Sequence, residues 1–104
     1  MSPESAMKLL SNPTRLAVLQ WLKYPQQAFA GYSQLYDYDL YGVCASLIQD
    51  KAGLSQPATS LCLKVLFEAG LLEASKVGKW TYYRRNETRI TDVRESLVGF
   101  LQDL

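Results

Sequence analysis

Residues 53–72, GLSQPATSLCLKVLFEAGLL, carry their own start and stop. Ser55 is placed to cap a first helical turn, Pro57 falls where a missing N–H costs nothing, and Gly70 suits the position just past the end. The helix this predicts, Ser55–Ala69, is apolar along Leu63, Leu66 and Ala69 only. Gln56, Thr59, Ser60 and Lys64 form a polar face that begins at its N-terminal end. Upstream, Ala52-Gly53-Leu54 makes a tight turn after a helix expected over Val43–Lys51, with Val43, Leu47 and Ile48 inward. Two short helices joined by a Gly-containing turn make a helix-turn-helix. Downstream the period drops to two. Leu71–Lys76 and Lys79–Arg85 read as strands around Val77-Gly78, with Thr81 and Tyr83 alternating against Trp80 and Tyr82.

The remaining segments supply the supports. Ser2-Pro3-Glu4 starts a helix with Ala6, Leu9 and Leu10 as its stripe, and Asn12-Pro13 ends it and opens a second. That second helix runs to about Lys23 with Leu16, Val18, Leu19 and Leu22 inward, and Pro25 stops it. Residues 24–42 are read as a long tyrosine-rich loop, with room for a short turn or an extension of the next helix. Tyr32, Tyr36, Tyr38 and Tyr41 fall around Asp37 and Asp39 there, and the plainer alternative is a cover over the core. Loops of that length inside a small domain often serve function. A last helix is expected from Thr91 as N-cap to Leu104, with Val93, Leu97, Val98, Leu101 and Leu104 along one side.

The chain has 104 residues, 48% of them hydrophobic, so one globular domain over residues 1–104 is expected. No apolar run approaches the roughly 18 residues that would cross a bilayer, and the N-terminus lacks a signal-peptide pattern. With two cysteines and no disulfide framework, a cytoplasmic location is expected. Net charge is only +1, yet Lys76–Arg89 holds five basic residues and one acid, a local charge of +4. Clustering decides what phosphates feel, because the attraction is screened beyond about 10 Å at ordinary salt.

Helix, turn, helix and a basic hairpin is the order of a winged helix-turn-helix, mainly α with a small β-hairpin. A major groove about 12 Å wide admits one helix, whose N-terminal residues reach the base edges. Double-stranded DNA is therefore the expected partner. Five strings then resemble the ArsR-type winged-helix repressors: Asn12-Pro13-Thr14-Arg15-Leu16, Gly53-Leu54-Ser55-Gln56-Pro57, Leu63-Lys64-Val65-Leu66, Glu68-Ala69-Gly70-Leu71 and Gly78-Lys79-Trp80-Thr81-Tyr82-Tyr83. They span roughly residues 5–86 in that family's order. The resemblance implies a homodimer on an inverted-repeat operator, with the terminal helices packing against their twofold mates. It also implies DNA contacts from Gln56, Thr59, Ser60 and Lys64 on the recognition helix, and from Lys79, Arg84 and Arg85 on the wing. Trp80 and Tyr82 read as packing residues beneath the wing.

The metal-sensing members often carry Cys-x-Cys before the recognition helix, and here the segment is Val43-Cys44-Ala45-Ser46-Leu47-Ile48. A single thiolate is a poor site for a soft ion, and without any histidine there are no nitrogen-ligand sites. No metal or cofactor is expected. Cys44, alone or with Cys62, is a candidate sensor thiol; a small organic ligand under the tyrosine-rich segment and the absence of any signal are the alternatives. No histidine, phosphate-cradling glycine loop or carboxylate pair points to an enzyme. The rival reading is a winged helix that binds protein, or a thiol-based redox repressor using Cys44.

Overall fold

The computed structural model describes residues 1–104. Helix α1 (Pro3–Leu10) is capped by Ser2, whose Oγ accepts the Ser5 N–H at 3.1 Å. Helix α2 (Pro13–Lys23) is capped by Asn12, whose Oδ1 accepts from Thr14 and Arg15 at 3.0 and 3.1 Å. Both begin at the expected Ser-Pro and Asn-Pro pairs, where the proline ring presets the helical φ. Within α2, Val18, Leu19 and Leu22 are buried, but Leu16, expected inward, is exposed.

The segment read as a loop is built differently. It holds two single-turn helices, α3 (Pro25–Ala28) and α4 (Tyr38–Tyr41), and leads into a two-residue strand, β1 (Val43–Cys44). Its organiser is Gln34. The side-chain Nε2 donates to the Tyr36 and Gly42 carbonyls at 2.8 Å each, and Oε1 accepts the Cys44 N–H at 2.8 Å. Phe29, fully buried, stacks edge-on with Trp21 and Tyr32, so this segment adds to the core as well as covering it. At Gly42, where φ is +92°, a Cβ would collide with the Tyr83 carbonyl, which makes glycine a condition for β1 to reach the sheet.

Because β1 is a strand, the next helix, α5, starts later than expected and spans Ala45–Ala52. Gly53 closes it in the left-handed region at φ +66°, and α6 (Gln56–Glu68) follows as the second arm of the helix-turn-helix. Strands β2 (Leu72–Val77) and β3 (Trp80–Arg85) form the hairpin, in register from Leu72↔Arg85 to Val77↔Trp80. With β1 paired to β3 through Val43↔Tyr83 and Cys44↔Tyr82, the sheet is three-stranded and antiparallel, in the order β1-β3-β2. The two-stranded expectation missed the third strand.

The last helix, α7 (Glu87–Gln102), begins at Asn86 rather than Thr91, because Asn86 Oδ1 accepts the Arg89 N–H at 3.1 Å. It packs on α1 within the chain. One cluster gathers Val18 and Leu22 from α2, Phe29 from the tyrosine-rich segment, Ile48 from α5, Leu63 and Leu66 from α6, and Leu71 from the turn before β2. Each such side chain fully removed from water contributes about 1.5–3 kcal/mol. The core therefore anchors the inner face of α6 and leaves its other face outside.

Candidate nucleic-acid interface

The sequence at the start of α6 dictates its geometry. Ser55 Oγ accepts the Ala58 N–H at 3.2 Å, which satisfies one of the free donors of the first turn. Gln56 and Ser60, one turn apart, are exposed and linked by a 3.2 Å hydrogen bond from Gln56 Nε2 to Ser60 Oγ. Lys64, the next residue along that ridge, lies 3.7 Å from Glu68 in an exposed i,i+4 pair. Such a pair is worth a few tenths of a kcal/mol, so Lys64 is easily released to another anion.

Thr59 lies deeper than these exposed side chains, at the floor beside them. It is 4% exposed and its Oγ1 donates to the Ser55 carbonyl at 2.9 Å, so it acts inside the helix start. Spacing could have shown this, since Thr59, Leu63 and Leu66 fall on one helical ridge. Leu61, by contrast, is exposed beside Ser60.

The hairpin divides into tip and root. At the tip, Lys79 Nζ sits 5.3 Å from the ring centroid of Trp80, and Trp80 is 48% exposed. Trp80 is thus no packing residue; Tyr82, 3% exposed, is. A groove of about 290 Å³ is lined by Gln56, Thr59 and Ser60 from α6, Lys79 and Trp80 from the tip, and Ser46 and Gln49 from α5. Helix end and wing tip therefore face one space.

At the root the two arginines are engaged. Arg84 Nη1 donates to the Leu40 carbonyl at 3.2 Å, and its Nη2 lies 3.4 Å from Glu73. The Arg85 side chain is 8% exposed; Nη1 donates to the Leu19 carbonyl at 3.2 Å, and Nε and Nη2 lie 2.8 and 3.0 Å from the Glu87 carboxylate. Arg85 thus staples the hairpin to α2 and to the start of α7, away from the groove. That corrects its placement on the wing surface.

The thiols are also placed apart from any obvious chemistry. Cys44 is buried in β1 with Sγ 3.2 Å from Ser46 Oγ. Cys62 is half-buried on α6; burial raises its thiol pKa, partly opposed by the charge of Arg15. Both are free, and no group of three His, Cys, Asp or Glu side chains converges as a metal set. No helix is long and apolar enough to cross a membrane.

A core-anchored helix-turn-helix beside a β-hairpin defines a winged-helix protein, and the comparisons agree. The chain is 42% identical over 97 residues to the uncharacterized HTH-type transcriptional regulator YbzH of Bacillus subtilis, covering 93% of this chain and 96% of that one. It is 40% identical over 63 residues to a Halobacterium salinarum protein named as an arsenical resistance operon repressor, ArsR2, covering 61% of this chain and about half, 49%, of the relative. A crystal structure described as a transcriptional regulator for arsenical resistance superposes with a TM-score of 0.54 over 95% of both chains; at 22% identity it supports the fold. No family model matches the chain.

The chain belongs to the ArsR-type helix-turn-helix transcriptional regulators, a family of DNA-binding proteins rather than enzymes.

Proposed function

We propose that this chain is a single-domain, cytoplasmic repressor that binds an inverted-repeat operator as a homodimer. The observation that carries the DNA half is the shared groove: Gln56 and Ser60 on α6 open onto the same space as Lys79 and Trp80 at the wing tip. Gln56 can donate and accept at a base edge, Ser60 and Lys64 suit phosphate and flanking contacts, and Lys79 follows the backbone. Arg84 and Arg85 hold the wing at its root. The dimer half rests on α1 and α7, which pack together yet leave Met7, Val98, Leu101 and Leu104 in water. A twofold mate would cover them, and a twofold dimer reads a palindromic site.

Selection of bound duplexes from a random pool tests the reading directly. The expected product is an inverted repeat with half-sites about one helical turn, roughly 10 bp, apart. Recovery of no duplex even at low salt would overturn it. Sedimentation of the wild type against Val98→Glu/Leu101→Glu tests the dimer: the wild type runs as two chains, the variant as one, with operator affinity lost. A wild type sedimenting as one chain would remove the twofold half.

A further inference from the structure

A second cavity, of about 500 Å³, lies between the tyrosine-rich segment and the wing. That size falls within the range of small-molecule sites, roughly 300–1,000 Å³. Leu35 and Tyr36 form one wall, Leu47 another, and Trp80 with Tyr82 the third. The Tyr36 and Tyr82 rings meet edge-on with centroids 5.6 Å apart, so the walls are aromatic and fixed. Leu35 at the rim is 86% exposed, an apolar side chain left in water beside an apolar space.

The Tyr82 and Tyr36 hydroxyls at this cavity make no hydrogen bond within the chain. Among the tyrosine hydroxyls only that of Tyr32 is hydrogen-bonded within the chain. Tyr82, 3% exposed, therefore brings a free hydroxyl to the cavity, with Cys44 and Tyr36 beside it. Burial foremost, then those two neighbours, raises its pKa, so at neutral pH it remains a donor. That hydroxyl keeps some accessible surface, so it can donate to a group that enters the cavity. Lys79 supplies a positive charge at the edge of the same space.

We propose that this cavity is an effector site for small planar aromatic carboxylates. The rings lie between Tyr36, Leu47 and Trp80, the carboxylate accepts the Tyr82 hydroxyl proton in a hydrogen bond, and Lys79 complements its charge. No bond to Cys44 forms. Ser46, Lys79 and Trp80 line both this cavity and the groove beside α6, so an occupant bears on the wing tip and lowers DNA affinity. This regulatory half rests on the DNA-binding reading above.

The test is calorimetric titration of the DNA-free chain with 2-naphthoate and with neutral 2-naphthamide, followed by operator binding with and without 2-naphthoate. Two variants localise the site. Tyr82→Phe removes one oxygen from a ring that stays in the core; Ser33→Trp fills the mouth from an exposed position. Saturable 2-naphthoate binding is expected, weaker for the amide, about tenfold weaker in Tyr82→Phe, the size of one lost hydrogen bond to a charged group, and absent in Ser33→Trp. Operator affinity should fall with 2-naphthoate in the wild type and stay constant in Ser33→Trp. No heat of binding at millimolar 2-naphthoate, or binding untouched by both variants, overturns the site. Binding that leaves operator affinity unchanged overturns its regulatory role. If no operator exists, the calorimetry still reads the site, and only the DNA reading falls.

Discussion

Lys79 and Arg85 stand at opposite ends of the same strand, one just before β3 and the other its last residue. Both add a positive charge to the basic run Lys76–Arg89. Their surroundings are opposite. Lys79 rests against the ring of an exposed tryptophan, free to meet a phosphate, whereas Arg85 is packed under the hairpin with its charge met by Glu87 and a carbonyl of α2. The difference follows from the head groups. A guanidinium presents a rigid fork that satisfies several acceptors at once in a half-dry site, while an ammonium stays hydrated on a flexible stem. A basic stretch in sequence is therefore not a basic surface: its root holds the wing, and its tip carries the field.

That division predicts separable losses. Arg85→Ala should have the largest effect, about 1–3 kcal/mol of stability, because a nearly buried charge, its ion pair and the partner of the Leu19 carbonyl go together. Urea unfolding measures it, and the salt dependence of DNA binding by the folded protein should keep its slope. Lys79→Ala should do the reverse. Its melting temperature should match the wild type, while DNA affinity falls similarly for all sequences and the slope of log K against log salt drops by about 1. An Arg85→Ala protein that melts normally but loses salt dependence would merge tip and root into one surface.

The same contrast explains what the sequence disclosed. The ends of α1, α2 and α6 were readable because each is set by a cap and a proline within three residues of one another. Strand β1 was not, since its two residues are held by Gln34, ten positions away, and by β3, some forty residues on. The start of α7 was misplaced because Thr91 resembles a cap as well as Asn86 does, and only the end of β3 decides between them. On α6, the exposure of Gln56, Ser60 and Lys64 was legible from the helical period, and so was the deeper position of Thr59 on the ridge of Leu63 and Leu66. The employment of Arg84 and Arg85 could not be read, as their partners Leu40, Glu73 and Leu19 lie on other elements.

Arg84 falls between the two extremes and gives a finer test. It is about half exposed and paired with an equally exposed Glu73, so the pair itself adds little. Arg84→Ala should cost under about 1 kcal/mol by urea unfolding, chiefly through the lost hydrogen bond to the Leu40 carbonyl, and should leave the salt slope unchanged. A slope lowered by about 1 would extend the DNA footprint down the wing.

On α6 the contrast recurs in miniature, between exposed Lys64 and half-buried Cys62. Desolvation keeps the Cys62 thiol protonated above the ordinary value of 9.0, with Arg15 pulling the other way. The folded chain therefore holds this proton to higher pH than the unfolded chain. Its contribution to stability is complete below the unfolded value and is lost as pH rises through the raised folded value. Alkylation by iodoacetamide, followed residue by residue against pH, should show Cys62 reacting with a midpoint above 9.0, and Arg15→Ala should move that midpoint higher still. A midpoint below 9.0 would mean that the charge of Arg15 outweighs burial at this thiol.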